Sequence, residues 1–336
     1  MAFEAVDITP LRDGDLEARK AVAARIDEAY RTSGFLQVTG HGIPQAQLDE
    51  MLDITAAFFD LPEAEKRQVV DPDPAANRGY SGEGEEALAY SLGEDVAAPD
   101  LFEAFNVGRE DATGDYYDEH RRFFAPNTWP AAPAELREVW LRHQANAWGV
   151  ADVLLRCFAL GLDLDEEFFI DRTRRAIITT RAINYERRPG SPDPLPGQLR
   201  MGAHTDYGIL TILLADNVPG LQVRHDGGWV DVPVEPGSLI INIGDMMATW
   251  TNDRWVSTIH RVVPPPAGES GPVRRRSVAQ FFEADPDCVI ECLPSCTSAD
   301  NPPRYEPVEA GEYLLAKILG PRTLQKSAAG TTTGGR

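Results

Sequence analysis

Residues 204–214 read HTDYGILTILL. A histidine and, two positions on, an aspartate stand at the head of a nearly unbroken apolar run. The run has the length of a buried strand. In an extended chain the side chains of residues i and i+2 share a face, so His204 and Asp206 point the same way. An aspartate buried there without a partner costs several kcal/mol, roughly 2–7. A metal ion is one such partner, and a solvated strand end capped by the aspartate is the plainer alternative. With 6 histidines and 53 acidic residues in 336 positions, about one His-x-acid pair is expected by chance. The pair therefore takes its meaning from the strand that it heads.

The surroundings of that strand set the fold class. From residue 175 on, short apolar runs alternate with turn signals: AIITTRAINY (176–185), GLQVRH (220–225), WVDVPV (229–234), SLIINIG (238–244), VSTIHRVV (256–263) and RSVAQFF (276–282). Asp226-Gly227-Gly228 is a hairpin signal, and Pro236-Gly237 marks another turn. Strands at this spacing predict a β-sandwich or jelly-roll barrel, a mainly β core with flanking helices. Upstream the period changes to that of a helix. Residues 15–31 carry Leu16, Val22, Ala23, Ile26 and Tyr30 on one face and stop at Gly34; 45–59 and 133–160 are further helices. FLQVTGHGI (35–43) reads as a strand with a glycine turn, 71–100 as loop, and 308–318 as a short helix. The expectation is a single domain over 1–325, with a helical and strand N-terminal half (1–110), a β core (175–290) and a disordered tail (326–336).

Composition excludes several classes. Hydrophobic content is 43% and net charge is −21. An acidic surface repels phosphate backbones and anionic lipid, so neither nucleic acid nor membrane is an expected partner. It leans towards neutral or cationic substrates. The first twenty residues lack a basic leader and an apolar core, and no apolar run reaches 18 residues, so a cytoplasmic protein is expected. Cys288, Cys292 and Cys296 follow one another at spacing four, which is not a usual zinc spacing, and Pro294 interrupts any helix that would align them. They read as ordinary reduced cysteines. Gly82-Glu83-Gly84-Glu85-Glu86-Ala87 matches a nucleotide-binding fingerprint in letters alone: no buried strand precedes it and its glutamates repel phosphate.

A metal site at His204 and Asp206 needs a third ligand. His225 lies at a hairpin tip, where side chains are solvated. His260 lies inside a strand. Two histidines and one carboxylate with open positions form the facial triad of non-haem Fe(II) oxygenases, although the same ligands also suit zinc. A second site separates the two. In RRRSVAQFF (274–282), Arg275, Ser277, Ala279 and Phe281 alternate onto one face. A guanidinium and a hydroxyl projecting together into a barrel form a fork for a carboxylate. Arg31-Thr32-Ser33 has the same Arg-x-Ser pattern but reads as a helix end.

Taken together, GFLQVTGHGI, FFDLPEAEK, RGYSGEG, DLFEAFNVG, HTDYGILTILLADNVPGLQV, GSLIINIGDMMATWTNDRWVSTIHRV, RRSVAQFF and CLPSCTSADNPPRYEPV occur in the order seen in one family. Over nearly its whole length the chain resembles the isopenicillin N synthase-like family of Fe(II)/2-oxoglutarate-dependent dioxygenases. The resemblance implies a double-stranded β-helix, the cupin-like form of the jelly roll. It implies Fe(II) on His204, Asp206 and His260, with 2-oxoglutarate as co-substrate, its far carboxylate on Arg275 and Ser277, and Asn184 and Tyr185 close to it. Glu186 stands where the family often has another tyrosine or a proline, and PPPAGESG (264–271) lengthens the usual link from His260 to Arg275. The implied reaction uses O2, is stimulated by ascorbate, and hydroxylates, desaturates or cyclises at an unactivated C–H bond of a small metabolite. Antibiotic or other specialised-metabolite biosynthesis is the implied setting, in a monomer or weak homo-oligomer. Residues around Arg78–Tyr80, Phe102–Asn106 and the C-terminal helix are the expected substrate contacts, and Phe281 either packs on the substrate or belongs to the plain barrel core. The alternatives are an oxidase of the isopenicillin N synthase type that needs no 2-oxoglutarate, and a non-catalytic or zinc-binding barrel.

Overall fold

The structure, a computed structural model, describes residues 3, 5–73, 76–92, 98–186, 194–265 and 274–319. The expected tail and most of the proline-rich insert lie outside the described residues. Among the latter, fourteen strands follow in chain order: β1 Ala5–Asp7, β2 Phe35–Thr39, β3 Gly79–Ser81, β4 Glu103–Gly108, β5 Ile178–Tyr185, β6 Met201–His204, β7 Leu210–Ala215, β8 Leu221–His225, β9 Gly228–Asp231, β10 Leu239–Ile243, β11 His260–Val262, β12 Arg275–Phe282, β13 Val289–Ile290 and β14 Val308–Glu309. An eight-stranded sheet has the order β1-β2-β10-β7-β12-β5-β4-β3, and a four-stranded sheet has the order β6-β11-β8-β9. Side chains from both sheets meet in one apolar cluster, among them Phe35, Ile183, Met201, Leu221, Ile240 and Val262. This is the double-stranded β-helix that the strand spacing and the resemblance pointed to.

The two faces of the large sheet have different neighbours. On one face Ile178, Ala182, Val278 and Phe282 join the main core, against Trp140, Ala147, Leu154 and Phe158 of the long helix Leu136–Gly161. On the other face the odd-numbered residues of β5 and β12 line a cavity. Alternation alone produces this sorting. The helix Leu16–Thr32 adds Tyr30, whose ring meets Phe158 edge-on at 5.3 Å and Trp255 at the same distance. Its N-cap Asp15 accepts a hydrogen bond from the Ala18 amide at 2.9 Å, satisfying one of the donors a helix start leaves open.

Expected elements and observed ones agree at Leu16–Thr32, Gln45–Phe59 and the β7–β12 region. Asp226 and Gly227 take φ of +47° and +76° between β8 and β9, the mirror-image turn that matches strand twist. The long helix starts at Leu136, three residues after the expected 133, because a proline turn occupies 132–135. The C-terminal helix begins after β14, at 310, and runs to 319. Within the expected loop, β3 and a short 3-10 turn at Leu88–Leu92 are ordered. The four cysteines are free thiols.

Candidate active site

His204 ends β6 and His260 begins β11, and the two are directly opposed in the antiparallel ladder. Their rings lie 4.3 Å apart, centre to centre. Asp206, two residues past the end of β6, sends Oδ1 to 3.8 Å from Nε2 of His204 and 3.7 Å from Nε2 of His260. One ligand atom from each of the three lies within 4.8 Å of the others, and all three residues are buried. Among the described residues this is the one such cluster of histidine, cysteine or acidic side chains; the three C-terminal cysteines do not form one.

The second hydrogen bond of each group fixes its chemistry. Nδ1 of His204 donates to the Gly202 carbonyl at 2.8 Å, and Nδ1 of His260 to that of Thr258 at 3.1 Å. Both rings therefore carry the proton on Nδ1 and present an Nε2 lone pair to the centre. Oδ2 of Asp206 accepts from Thr211 Oγ1 at 2.5 Å and Asn242 Nδ2 at 2.6 Å, which leaves Oδ1 facing the histidines. Thr211 and Asn242 are themselves a cross-strand pair between β7 and β10. Burial and the facing His260 push His204 down to about 4. Burial works against the charge of Asp206, but His260, His204, Thr211 and Asn242 outweigh it and hold the carboxyl below its usual value. A neutral-histidine, ionised-carboxylate set is what a divalent metal requires, so the residues present fit Fe(II).

Arg275 opens β12 on the same cavity wall and is 1% exposed. Nη1 reaches Ser277 Oγ at 3.4 Å, and the guanidinium lies 5.1 Å from the centre of the Tyr185 ring. Its Nε is buried with no hydrogen-bond partner, and among the described residues no carboxylate pairs with it. Its neighbours point elsewhere: Arg274 bonds Asp60, and Arg276 bonds Asp53. A buried, unpaired guanidinium beside a hydroxyl fits the far carboxylate of 2-oxoglutarate.

The expected site residues sort as follows. His204, Asp206, His260, Arg275, Ser277, Tyr185, Phe281 and Arg78 all line one cavity. Arg78 is held by the carbonyls of Ala76, Asn77 and Phe123. Asn184, Tyr80 and the expected substrate segment Phe102–Asn106 do not line it. Asn184 is an even-numbered residue of β5 and faces outward, where Nδ2 donates to Glu103 at 2.8 Å. Tyr80 Oη donates to the same carboxylate at 2.6 Å, beside buried Lys66. Both belong to a structural polar network. His225 stays at its hairpin tip beside Asp226. The glutamate-rich segment 85–87 reaches the cavity, with Glu86 bonded to Arg181 at 2.8 Å.

Three residues that motif reading passed over shape the site. Thr211 and Asn242 orient Asp206, and their signal was a single polar residue inside each apolar run. Asp245 accepts from Thr205 (3.3 Å), Tyr313 (3.0 Å), Lys317 (2.9 Å) and Ser257 (2.7 Å). It thereby ties the C-terminal helix to Thr205, which stands between two ligands, and to Ser257, just before the third. Leu314, Leu315 and Ile318 of that helix close the cavity.

Comparison with known proteins places this geometry. Residues 3–132 match the family described as non-haem dioxygenase in morphine synthesis N-terminal, and residues 179–284 match the 2OG-Fe(II) oxygenase superfamily. The chain is 35% identical over 315 residues to a 2-oxoglutarate-Fe(II) type oxidoreductase, hxnY, of Emericella nidulans, covering 92% of this chain and 87% of that one. It is 35% identical over 320 residues to the validamycin A dioxygenase of Streptomyces hygroscopicus subsp. limoneus, covering 94% and 85%. Among solved structures, a full-length Neurospora crassa protein in complex with alpha-KG and thymine superposes with a TM-score of 0.83 at 29% identity, covering 94% and 96%. With these relatives in hand, the conclusion is that the chain belongs to the 2OG-Fe(II) oxygenase superfamily, in its isopenicillin N synthase-like branch, and is an Fe(II)/2-oxoglutarate-dependent dioxygenase.

Proposed function

We propose that His204, Asp206 and His260 hold Fe(II), that Arg275, Ser277 and Tyr185 hold the far carboxylate of 2-oxoglutarate, and that the rest of the cavity takes a small metabolite for oxidation at an unactivated C–H bond. The observation that carries this reading is one cavity wall bearing both a preset His-Asp-His cluster and a buried guanidinium that has no counter-ion among the described residues. Bound there, Fe(II) and 2-oxoglutarate supply O2 activation, with loss of CO2 and formation of succinate.

The chain's own groups do the rest. The carbonyls of Gly202 and Thr258 keep both imidazoles in the Nε2-ligand tautomer. Thr211 and Asn242 keep one carboxylate oxygen of Asp206 aimed at the metal position. Phe281, Leu213 and Val262 line the wall with apolar surface, which excludes water from a reactive centre. Residues 314, 315 and 318 cap the substrate side.

The setting we infer is specialised metabolism, supported by the relative named validamycin A dioxygenase. A monomeric or weakly associating cytoplasmic protein, with residues 1–325 acting as one oxygenase domain, is the corresponding proposal for the whole chain. No helix among the described residues is long and apolar enough to cross a membrane.

The test is succinate release from 2-oxoglutarate with Fe(II), ascorbate and O2. Turnover that needs Fe(II) and vanishes in His204→Ala supports the reading. An oxidase that needs no 2-oxoglutarate would consume O2 without succinate, and a zinc barrel would do neither.

A further inference from the structure

Glu283 follows β12 and is the fifth residue of the alternating face that begins with Arg275. It lines the cavity at the end opposite Arg275. Phe281, two residues before it, pairs across the strands with Thr211, the residue that orients Asp206. The metal cluster is thus flanked by a buried guanidinium on one side and a buried carboxylate on the other.

The guanidinium has its partner in 2-oxoglutarate. The carboxylate has none among the described residues. Glu283 is 5% exposed, Oε2 is buried without a hydrogen-bond partner, and among the described residues no salt bridge reaches it. Lys317, a cation of the capping helix, is taken by Asp245 at 2.9 Å. Of the other charged residues of the cavity, Glu85 pairs with Arg67, Glu86 with Arg181, Arg78 bonds three carbonyls, and the Arg122 guanidinium lies over the Phe123 ring. Gly208 has no side chain where Glu283 packs against it, and a Cβ there would collide with the carboxylate. The fold makes room for this group and, among the described residues, gives it no partner, an arrangement that destabilises the protein unless a ligand supplies one.

We propose that Glu283 recognises the substrate by pairing with a cationic group, an ammonium or guanidinium, on the metabolite to be oxidised; this rests on the reading of the cavity as an oxygenase site. The choice of a cation over a neutral hydroxyl follows from the surroundings. Burial first, then the charges of Asp206 and Asp245, push the Glu283 carboxyl up to about 8, so it stays largely protonated until a cation entering beside it brings back the ionised form. Among the described residues no cation pairs with Glu283, so a cation entering there supplies the missing counter-charge and favours the ionised carboxylate. A hydroxyl would not.

The experiment is an anaerobic titration of Fe(II)- and 2-oxoglutarate-loaded protein by calorimetry. The probes are agmatine and cyclohexylammonium against the neutral n-butylurea and cyclohexanol, with wild type, Glu283→Gln and Glu283→Asp compared. Cationic probes are expected to bind wild type more tightly than their neutral counterparts. Glu283→Gln is expected to weaken them by roughly 10- to 100-fold, and Glu283→Asp to keep part of the affinity. 2-Oxoglutarate binding stays unchanged in both variants. Equal binding of neutral and cationic probes, unchanged cation affinity in Glu283→Gln, or no cationic probe binding to protein that takes up 2-oxoglutarate would overturn the proposal. Failure of wild type to take up 2-oxoglutarate would overturn the oxygenase reading, and the proposal with it.

Discussion

At the scale of single residues, the site is a set of lone pairs with assigned directions. The metal-facing atoms of His204, Asp206 and His260 are set by what their other atoms bind. Thr211 and Asn242 are the clearest case, since both hydrogen bonds go to the same oxygen of Asp206. Replacing Thr211 by Val keeps the shape and removes the donor. It is expected to weaken Fe(II) binding by roughly 10- to 100-fold, the usual cost of losing an orienting partner; a metal titration of purified protein checks this, and unchanged affinity would show that Asp206 needs no help. The triad was legible in the sequence from the His-x-Asp spacing and from the hairpin tip that excludes His225, although His204 ends β6 and Asp206 lies in the loop before β7 rather than both heading the strand of the apolar run. Thr211 and Asn242 were not, because a hydrogen bond between neighbouring strands depends on register, and register is not written in either strand alone. Asn184 shows the same gap from the other side. A motif match placed it beside the co-substrate, whereas its even position on β5 turns it towards Glu103 and Arg274.

At the scale of elements, one carboxylate holds the cap. Asp245 stands in the first turn of the short helix Asp245–Trp250 and receives Tyr313 and Lys317 from the C-terminal helix. In Asp245→Asn the acceptor loses its charge, and bonds to charged donors are the stronger ones. Amides of residues 310–319 are then expected to exchange with solvent about tenfold faster or more, with KM for the organic substrate raised and 2-oxoglutarate affinity unchanged. Hydrogen exchange and steady-state kinetics read both. Unchanged exchange would mean that the apolar contacts of Leu314 and Leu315 suffice. The helices and the β7–β12 strands were readable because their apolar periods are clean. β1 and β3 have three residues each, too few for a period to show, and they exist by pairing with β2 and β4.

At the scale of the whole molecule, the protein contains buried groups whose protonation couples to folding. His143, on the cavity-remote helix Leu136–Gly161, is 4% exposed, and burial lowers it from 6.5 to about 4. Its folded value lies below its unfolded one, so between pH 6.5 and 4 the unfolded chain binds the extra proton. His143 therefore costs stability progressively as pH falls through that window and costs nothing above it. Removing it in His143→Leu is expected to flatten the decline between about pH 7 and pH 4 by up to about 3 kcal/mol, read by chemical denaturation of both proteins at each pH; parallel pH curves would contradict this. The fold class was legible from strand spacing, and the site from two short motifs, because both are local patterns. What remained hidden were the groups whose meaning lies in what faces them across the barrel, Glu283 above all. The proposed activity depends on 2-oxoglutarate chelating Fe(II) on the triad with its far end on Arg275. Anaerobic titration of the Fe(II) protein with 2-oxoglutarate, followed by the visible absorption that a chelating 2-oxo acid gives, tests it most directly. The predicted result is a saturable band in wild type, no band in His204→Ala, and half-saturation raised about tenfold or more in Arg275→Ala. No band in wild type, or the same half-saturation in Arg275→Ala, would contradict it.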